Sequence, residues 1–242
     1  MVVVGSGAFQ TQSGIRVGTP AVTSRGFDEA VCFRGGMHDY YNWRLEYNDR
    51  VVRADGRYLT DVWTDEAVAF IDRHHREPFF LHVTFNAPHT PLEAPREDVR
   101  LFTDTGQFNL GVSMVYAMIY RMDSGVARIL DALARHGLTE NTVLVFTSDN
   151  GPQFGGPGEH NTTRFNCQFH GAKGTVYEGG IRVPALVRWP AGNLAGGRYD
   201  GMAHTTDWFP TLAAAAGLPL PTNRQLDGAN LLPALAGEPA EG

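Results

Sequence analysis

Three short apolar runs, set apart by stretches of helical period, constrain this chain more than any other feature. Residues 79–85 (FFLHVTF), 143–146 (VLVF) and 183–189 (VPALVRW) have the length and the branched or aromatic content of buried strands. Between the first two, Val115, Met118, Ile119, Met122, Val126, Ile129, Leu130 and Leu133 recur at intervals of three and four. That is one face of a long helix over residues 112–136, and Gly137 is suited to stop it. A second helix starts at Thr60 or Asp61, either of which suits an N-cap. It carries Val62, Ala69 and Phe70 on its apolar stripe and ends near the cations Arg73, His74, His75 and Arg76. A third is capped by Thr206 and Asp207, runs through Ala216 and closes on Gly217. Strands that alternate with helices predict an α/β fold, a sheet with helices on its faces. Residues 1–25 are rich in Gly, Ser, Thr and Val without period and read as loop or weak strand. Residues 26–55 mix aromatics with charges and read as an irregular packed segment at the surface.

The bulk numbers exclude several classes. A net charge of -6 leaves no broad basic footprint for nucleic acid. No apolar run approaches the length of a membrane span. The opening residues Met1-Val2-Val3-Val4-Gly5-Ser6-Gly7 are too short, and lack the basic flank, to be expected to act as a secretory signal. Cys32 and Cys167 are the two cysteines, which is neither a disulfide framework nor a zinc pattern.

In open α/β sheets, ligands gather at the carboxyl ends of strands. His89 follows the 79–85 strand, Asp149 and Asn150 follow the 143–146 strand, and Lys173 sits in Gly171-Ala172-Lys173-Gly174 ahead of the 183–189 strand. A carboxylate and an amide oxygen are hard ligands for Ca²⁺ or Mg²⁺. A lysine binds an anion as a point charge, and a histidine can protonate a leaving oxygen. Taken singly, Asp-Asn-Gly is a turn sequence, Pro-His-Thr-Pro a rigid loop, and a lysine between glycines a solvated side chain. Together they describe a cation-assisted site for an anionic ester.

Ser148-Asp149-Asn150-Gly151-Pro152, the stretch from Gly171-Ala172-Lys173-Gly174 through Tyr177-Glu178-Gly179-Gly180-Ile181-Arg182-Val183-Pro184, and Ala87-Pro88-His89-Thr90-Pro91 resemble the motifs of the type I, formylglycine-dependent sulfatases of the alkaline phosphatase superfamily. The likeness extends from about Gly26 to Gly228. It implies an alkaline-phosphatase-like sandwich of a mixed, mostly parallel sheet flanked by helices. It implies that Asp149 and Asn150 are two ligands of an active-site Ca²⁺ (or Mg²⁺), that Lys173 contacts the sulfate, and that His89 binds the sulfate or ester oxygen and helps protonate the leaving group. Asn161, Arg164 and His170, in the loop before Lys173, are candidates for substrate contact. Glu178, Gly179 and Gly180 shape the turn that presents Lys173. The implied substrate is a sulfate ester of a carbohydrate or aryl group, and the implied compartment is periplasmic or extracellular.

The departures from the family pattern carry expectations of their own. No C/S-x-P/A-x-R motif, the source of the formylglycine nucleophile, is present: Cys32 stands in Val31-Cys32-Phe33-Arg34-Gly35 and Cys167 in Asn166-Cys167-Gln168-Phe169. The early strand ending in paired aspartates and the Gly-Lys-x-His segment are missing too. Residues 1–25 are therefore expected to be an irregular lead segment. Residues 26–242 are expected to be a catalytic domain without its nucleophile region and C-terminal subdomain, inactive by itself. The missing central strand predicts an uncovered sheet edge through which chains would associate. The same metal and lysine would serve a phosphonate monoester hydrolase or phosphodiesterase, and a non-catalytic sulfated-glycan binder is a third reading.

Overall fold

The structure, a computed structural model, describes residues 2–5, 15–18, 27–33, 38–48, 50–192, 194 and 196–238. Eight strands form one sheet: β1 (Val2–Gly5), β2 (Ile15–Gly18), β3 (Glu29–Cys32), β4 (Arg44–Tyr47), β5 (Arg50–Arg53), β6 (Leu81–Thr84), β7 (Leu144–Thr147) and β8 (Ala185–Arg188). Their order is β5-β4-β3-β2-β6-β1-β7-β8. The contiguous run β3-β2-β6-β1-β7 is parallel, and the flanking β4, β5 and β8 join antiparallel. The sheet is thus mixed and mostly parallel, as expected.

The expected gap at the centre of the sheet is not there. β1 lies between β6 and β7, with Val3 opposite both His82 and Val145. It supplies ladder partners to both neighbours, so the predicted association through an uncovered edge at that place is corrected. Residues 1–25 are likewise not irregular throughout, since β1 and β2 both come from them. Two four-residue strands without amphipathic alternation have no local signal strong enough to read. Their existence depends on the parallel neighbours that accept their backbone groups.

The helices are α1 (Leu59–His74), α2 (Arg96–Thr103), α3 (Leu110–Arg135), α4 (Glu178–Ile181), α5 (Trp208–Ala215) and α6 (Leu232–Leu235). The period of two in β7 shows how they are layered. Leu144 and Phe146 join a large core with residues of α1 and α3, such as Val62, Trp63, Met118 and Ile129. Val143 and Val145 face the other way and pack with Trp208 and Leu212 of α5. One strand therefore feeds two cores, one on each face of the sheet. Burying each such leucine, valine or isoleucine contributes about 2 kcal/mol.

Helix ends follow their expected chemistry unevenly. Asn109 caps α3 by accepting from the Val112 amide, and Gly137 ends it at φ +68°. The expected Thr60 or Asp61 cap of α1 is not made. The helix begins at Leu59, its N-cap is Tyr58, and Asp61 instead receives Arg121 from α3. The cap before α5 is His204, which accepts from the Thr206 amide while Asp207 accepts from the His204 amide.

Residues 26–55 also differ from expectation. They hold β3, β4 and β5, and Phe33, Tyr40, Trp43 and Leu45 are fully buried in the larger core. Their polar tips explain how this is tolerated. Tyr40 Oη donates to His89 O at 3.0 Å and Trp43 Nε1 to Arg57 O at 2.9 Å.

The last turn of α1 is tied to the sheet through His74, whose ring lies between Glu77 and Glu29 at 2.5 and 2.6 Å. The hydrogen bond to Glu77, with Glu29 behind it, raises its pKa against a smaller desolvation effect. A raised folded-state pKa means stabilisation that is present in full below the unfolded histidine value and is lost as pH rises through the folded value. His74→Gln is therefore expected to be destabilised relative to the parent at pH 5.5, with the difference closing by pH 9. Urea midpoints of the two proteins at both pH values check it. A difference independent of pH would assign His74 a packing role only.

Candidate active site at the carboxyl ends of the central strands

The carboxyl ends of β6 and β7 open into one cavity of about 1050 Å³. Asp149, Asn150, His89, Lys173 and Arg164 all line it. The sequence separates these residues by up to 84 positions; parallel strands bring them together because their carboxyl ends point the same way.

His89 is held by three elements. Its amide donates to Asn86 O at 2.8 Å, Tyr40 Oη binds its carbonyl, and Trp63 Nε1 of α1 donates to Asn86 Oδ1 at 3.1 Å. The ring Nδ1 lies 2.9 Å from Thr90 O. A carbonyl can only accept, so Nδ1 carries the proton. In the neutral ring Nε2 is then an acceptor, and delivering a proton from Nε2 requires the imidazolium.

Asp149 and Asn150 leave the end of β7 together. Asn150 Nδ2 donates to Gly151 O at 2.9 Å, and among the described residues Oδ1 has no hydrogen-bond donor. The two side chains are hard oxygen donors and fit part of the shell of Ca²⁺, which takes about six to eight oxygens. Among the described residues no cluster of three or more His, Cys, Asp or Glu could hold a metal ion.

Lys173 is placed by backbone rather than by side-chain contacts. Its amide donates to Pro152 O at 2.9 Å, and among the described residues its ammonium has no hydrogen bond or ion pair. The joint beneath it is made of glycines. Gly151 N donates to Gly180 O and Gly179 N donates to His170 O. A Cβ on Gly151 would stand 1.9 Å from Gly179 O, and one on Gly179 would stand 2.1 Å from Gly171 O. Two backbone segments meet here with no room for a side chain, which is why these positions are glycine.

The three loop candidates separate. Arg164 is in the cavity wall, where Nη1 donates to Gln153 O and Thr162 O and the guanidinium lies 5.5 Å from the centre of the Phe154 ring. Burial holds its pKa below the usual guanidinium range. Asn161 does not line the cavity. Its Nδ2 donates to Gly156 O and its Oδ1 accepts from the Thr163 amide, so the amide fastens its own loop. His170 does not line it either, and packs edge-on against Tyr177 with ring centres 4.4 Å apart. Sequence reasoning missed Arg182, which lines the cavity, pairs with Glu178 at 2.9 Å and lies over Phe169 at 5.0 Å. Its place in the Ile181-Arg182-Val183 run was the available signal.

Comparison with known proteins agrees with this geometry. The sulfatase family description matches residues 8–218. The uncharacterized sulfatase YdeN of Escherichia coli is 37% identical over 216 residues, which cover 87% of this chain and 37% of that protein. The steryl-sulfatase of Mus musculus is 39% identical over 186 residues, 74% of this chain and 28% of that protein. Among solved structures, Ps i-CgsB in complex with k-i-k-neocarrahexaose superposes with a TM-score of 0.81 at 33% identity, covering 93% of this chain and 54% of that one. The chain thus spans 37% and 28% of the lengths of these two curated relatives. With a family match over most of its length, a mixed, mostly parallel sheet and the motif residues around one cavity, this chain belongs to the sulfatase family.

Proposed function

We propose that the cavity is a sulfate-ester site and that the chain serves in hydrolysis of sulfate esters, of a carbohydrate or an aryl alcohol. The observation that carries this reading is the convergence of Lys173, His89, Asp149 and Asn150 on one cavity. Lys173 offers a sulfate oxygen an ammonium that has no counter-charge among the described residues. As imidazolium, His89 offers the Nε2 proton to the ester oxygen and on to the departing alcohol. Asp149 and Asn150 would hold part of the shell of a Ca²⁺ ion, which when bound neutralises sulfate charge. The sequence holds no C/S-x-P/A-x-R motif, so this chain's own residues bind and orient the ester and do not supply the formylglycine that attacks it.

Titration calorimetry with phenyl sulfate tests the reading. The parent chain is expected to bind it, and Lys173→Ala and His89→Ala are each expected to weaken binding about tenfold or more, the value of a charge-assisted hydrogen bond. Turnover of 4-nitrophenyl sulfate by this chain alone is expected to be absent. Binding that survives both substitutions would sink the site assignment. Tighter binding of phenylphosphonate than of phenyl sulfate would move the preference to the phosphorus esters.

A further inference from the structure

Arg164 stands out among the cavity residues by what it lacks. Arg57, Arg73, Arg121, Arg128, Arg135, and Arg182 in the same cavity wall, each have a carboxylate partner. Arg164 is half-buried and, among the described residues, has none. Taking a cation out of water without a counter-charge is costly, and two backbone carbonyls offset only part of that cost. The structure nevertheless fixes the group, with Nη1 between two carbonyls and Cζ over the Phe154 ring. Nη1 is thereby spent. The Nε and Nη2 donors, the side-on fork that matches a carboxylate or sulfate with two parallel hydrogen bonds, make no bond to a described residue.

Its position relates it to the ester site. The Lys173 amide is bonded to Pro152 O and the Arg164 guanidinium to Gln153 O. Both cations therefore hang on consecutive carbonyls of the segment that follows Asp149 and Asn150. Arg164, Lys173 and His89 all line the one cavity, so a ligand with its ester sulfate at Lys173 and His89 shares that cavity with Arg164.

We propose that Arg164 anchors a second anionic group of the substrate, a sulfate or carboxylate on the same saccharide, so that the site selects a multiply charged sugar over a singly sulfated one. The proposal rests on the reading of the cavity as a sulfate-ester site. A single sulfate would leave the Arg164 fork unanswered, whereas a second one completes it without displacing any protein contact.

Calorimetric titration with D-glucosamine 6-O-sulfate and with D-glucosamine 2-N,6-O-disulfate tests it on the full chain. The parent is expected to bind the disulfate about tenfold or more tightly than the monosulfate. Arg164→Gln is expected to bring that ratio close to one while leaving the monosulfate Kd within about twofold. Arg164→Lys, which keeps the charge and loses the fork, is expected to fall between the two. Lys173→Ala is expected to weaken both sugars alike. Equal affinities in the parent, or a ratio that survives Arg164→Gln, overturn the proposal. The parent's own ratio decides even if a variant does not fold. Binding of neither sugar, nor of phenyl sulfate, would overturn the sulfate-ester reading itself, and this proposal with it.

Discussion

Gly179→Ala is expected to destabilise this chain by about 3 kcal/mol and to abolish sulfate-ester binding. The added methyl would lie 2.1 Å from Gly171 O and 2.7 Å from His170 O. Both are backbone atoms, so no side-chain rotation relieves the clash. Relief requires moving the segment that carries Lys173, two residues beyond Gly171, or breaking the 2.7 Å bond from Gly179 N to His170 O. Gly151→Ala is expected to behave alike, since its methyl would meet Gly179 O at 1.9 Å. Gly174→Ala is the control. Gly174 has φ +87° but nothing within 4 Å of its added Cβ. Only backbone strain opposes that substitution, about 1–2 kcal/mol. Urea unfolding and phenyl sulfate titration of the three variants separate the two causes. If Gly179→Ala unfolds like Gly174→Ala and still binds, the close approach of the two loops is not what places Lys173.

The second large effect is expected from Arg121→Ala. Arg121, on α3, bonds both Asp61 oxygens, from Nε at 2.8 Å and from Nη2 at 2.7 Å. Its Nη1 reaches Asp98 of α2 at 3.5 Å. Removing it leaves Asp98, whose side chain is 6% exposed, with its charge buried and unanswered. Breaking a buried pair costs about 3–5 kcal/mol. With 31% of the Arg121 side chain exposed, solvent screening lowers the expectation to about 2–3 kcal/mol. The pH dependence has a definite sign. Desolvation raises the Asp98 pKa above the usual carboxylate value even with Arg121 opposing it. A carboxyl with a raised folded-state pKa costs stability above that pKa, and the cost disappears as the group protonates. The deficit of Arg121→Ala should therefore shrink as pH is lowered from 7 towards 5, and Asp98→Asn in the same background should recover part of it at pH 7. A deficit under about 0.5 kcal/mol at pH 7, typical of an exposed pair, would mean that the triad is solvated and ties α1, α2 and α3 only loosely.

What could be read along the chain is what is set by near neighbours. The α3 helix with its Gly137 stop, the strand ending at Asp149 and Asn150, and the strand leading to His89 all have periods or end signals within a few residues. The motifs named Asp149, Asn150, the lysine and the histidine as candidates for the same reason: each is a short string. Other features depended on partners far away. Asp61 looks like a helix cap until Arg121, 60 positions later, claims it. Tyr40 and Trp43 look like surface aromatics until His89 O and Arg57 O satisfy their polar tips in the core.

Sequence by itself thus determined the fold class, the family and the chemistry of the residues at the strand ends. Only the tertiary structure decided that Val2–Gly5 closes the centre of the sheet, because a strand of four residues exists through the ladders its neighbours offer. It also decided which of the three loop candidates line the cavity. Asn161, Arg164 and His170 have equivalent polar character and no period to sort them. Their separation came from where their contacts are spent, Asn161 on its own loop, His170 against the Tyr177 ring, and Arg164 in the cavity wall with Nε and Nη2 bonded to no described residue.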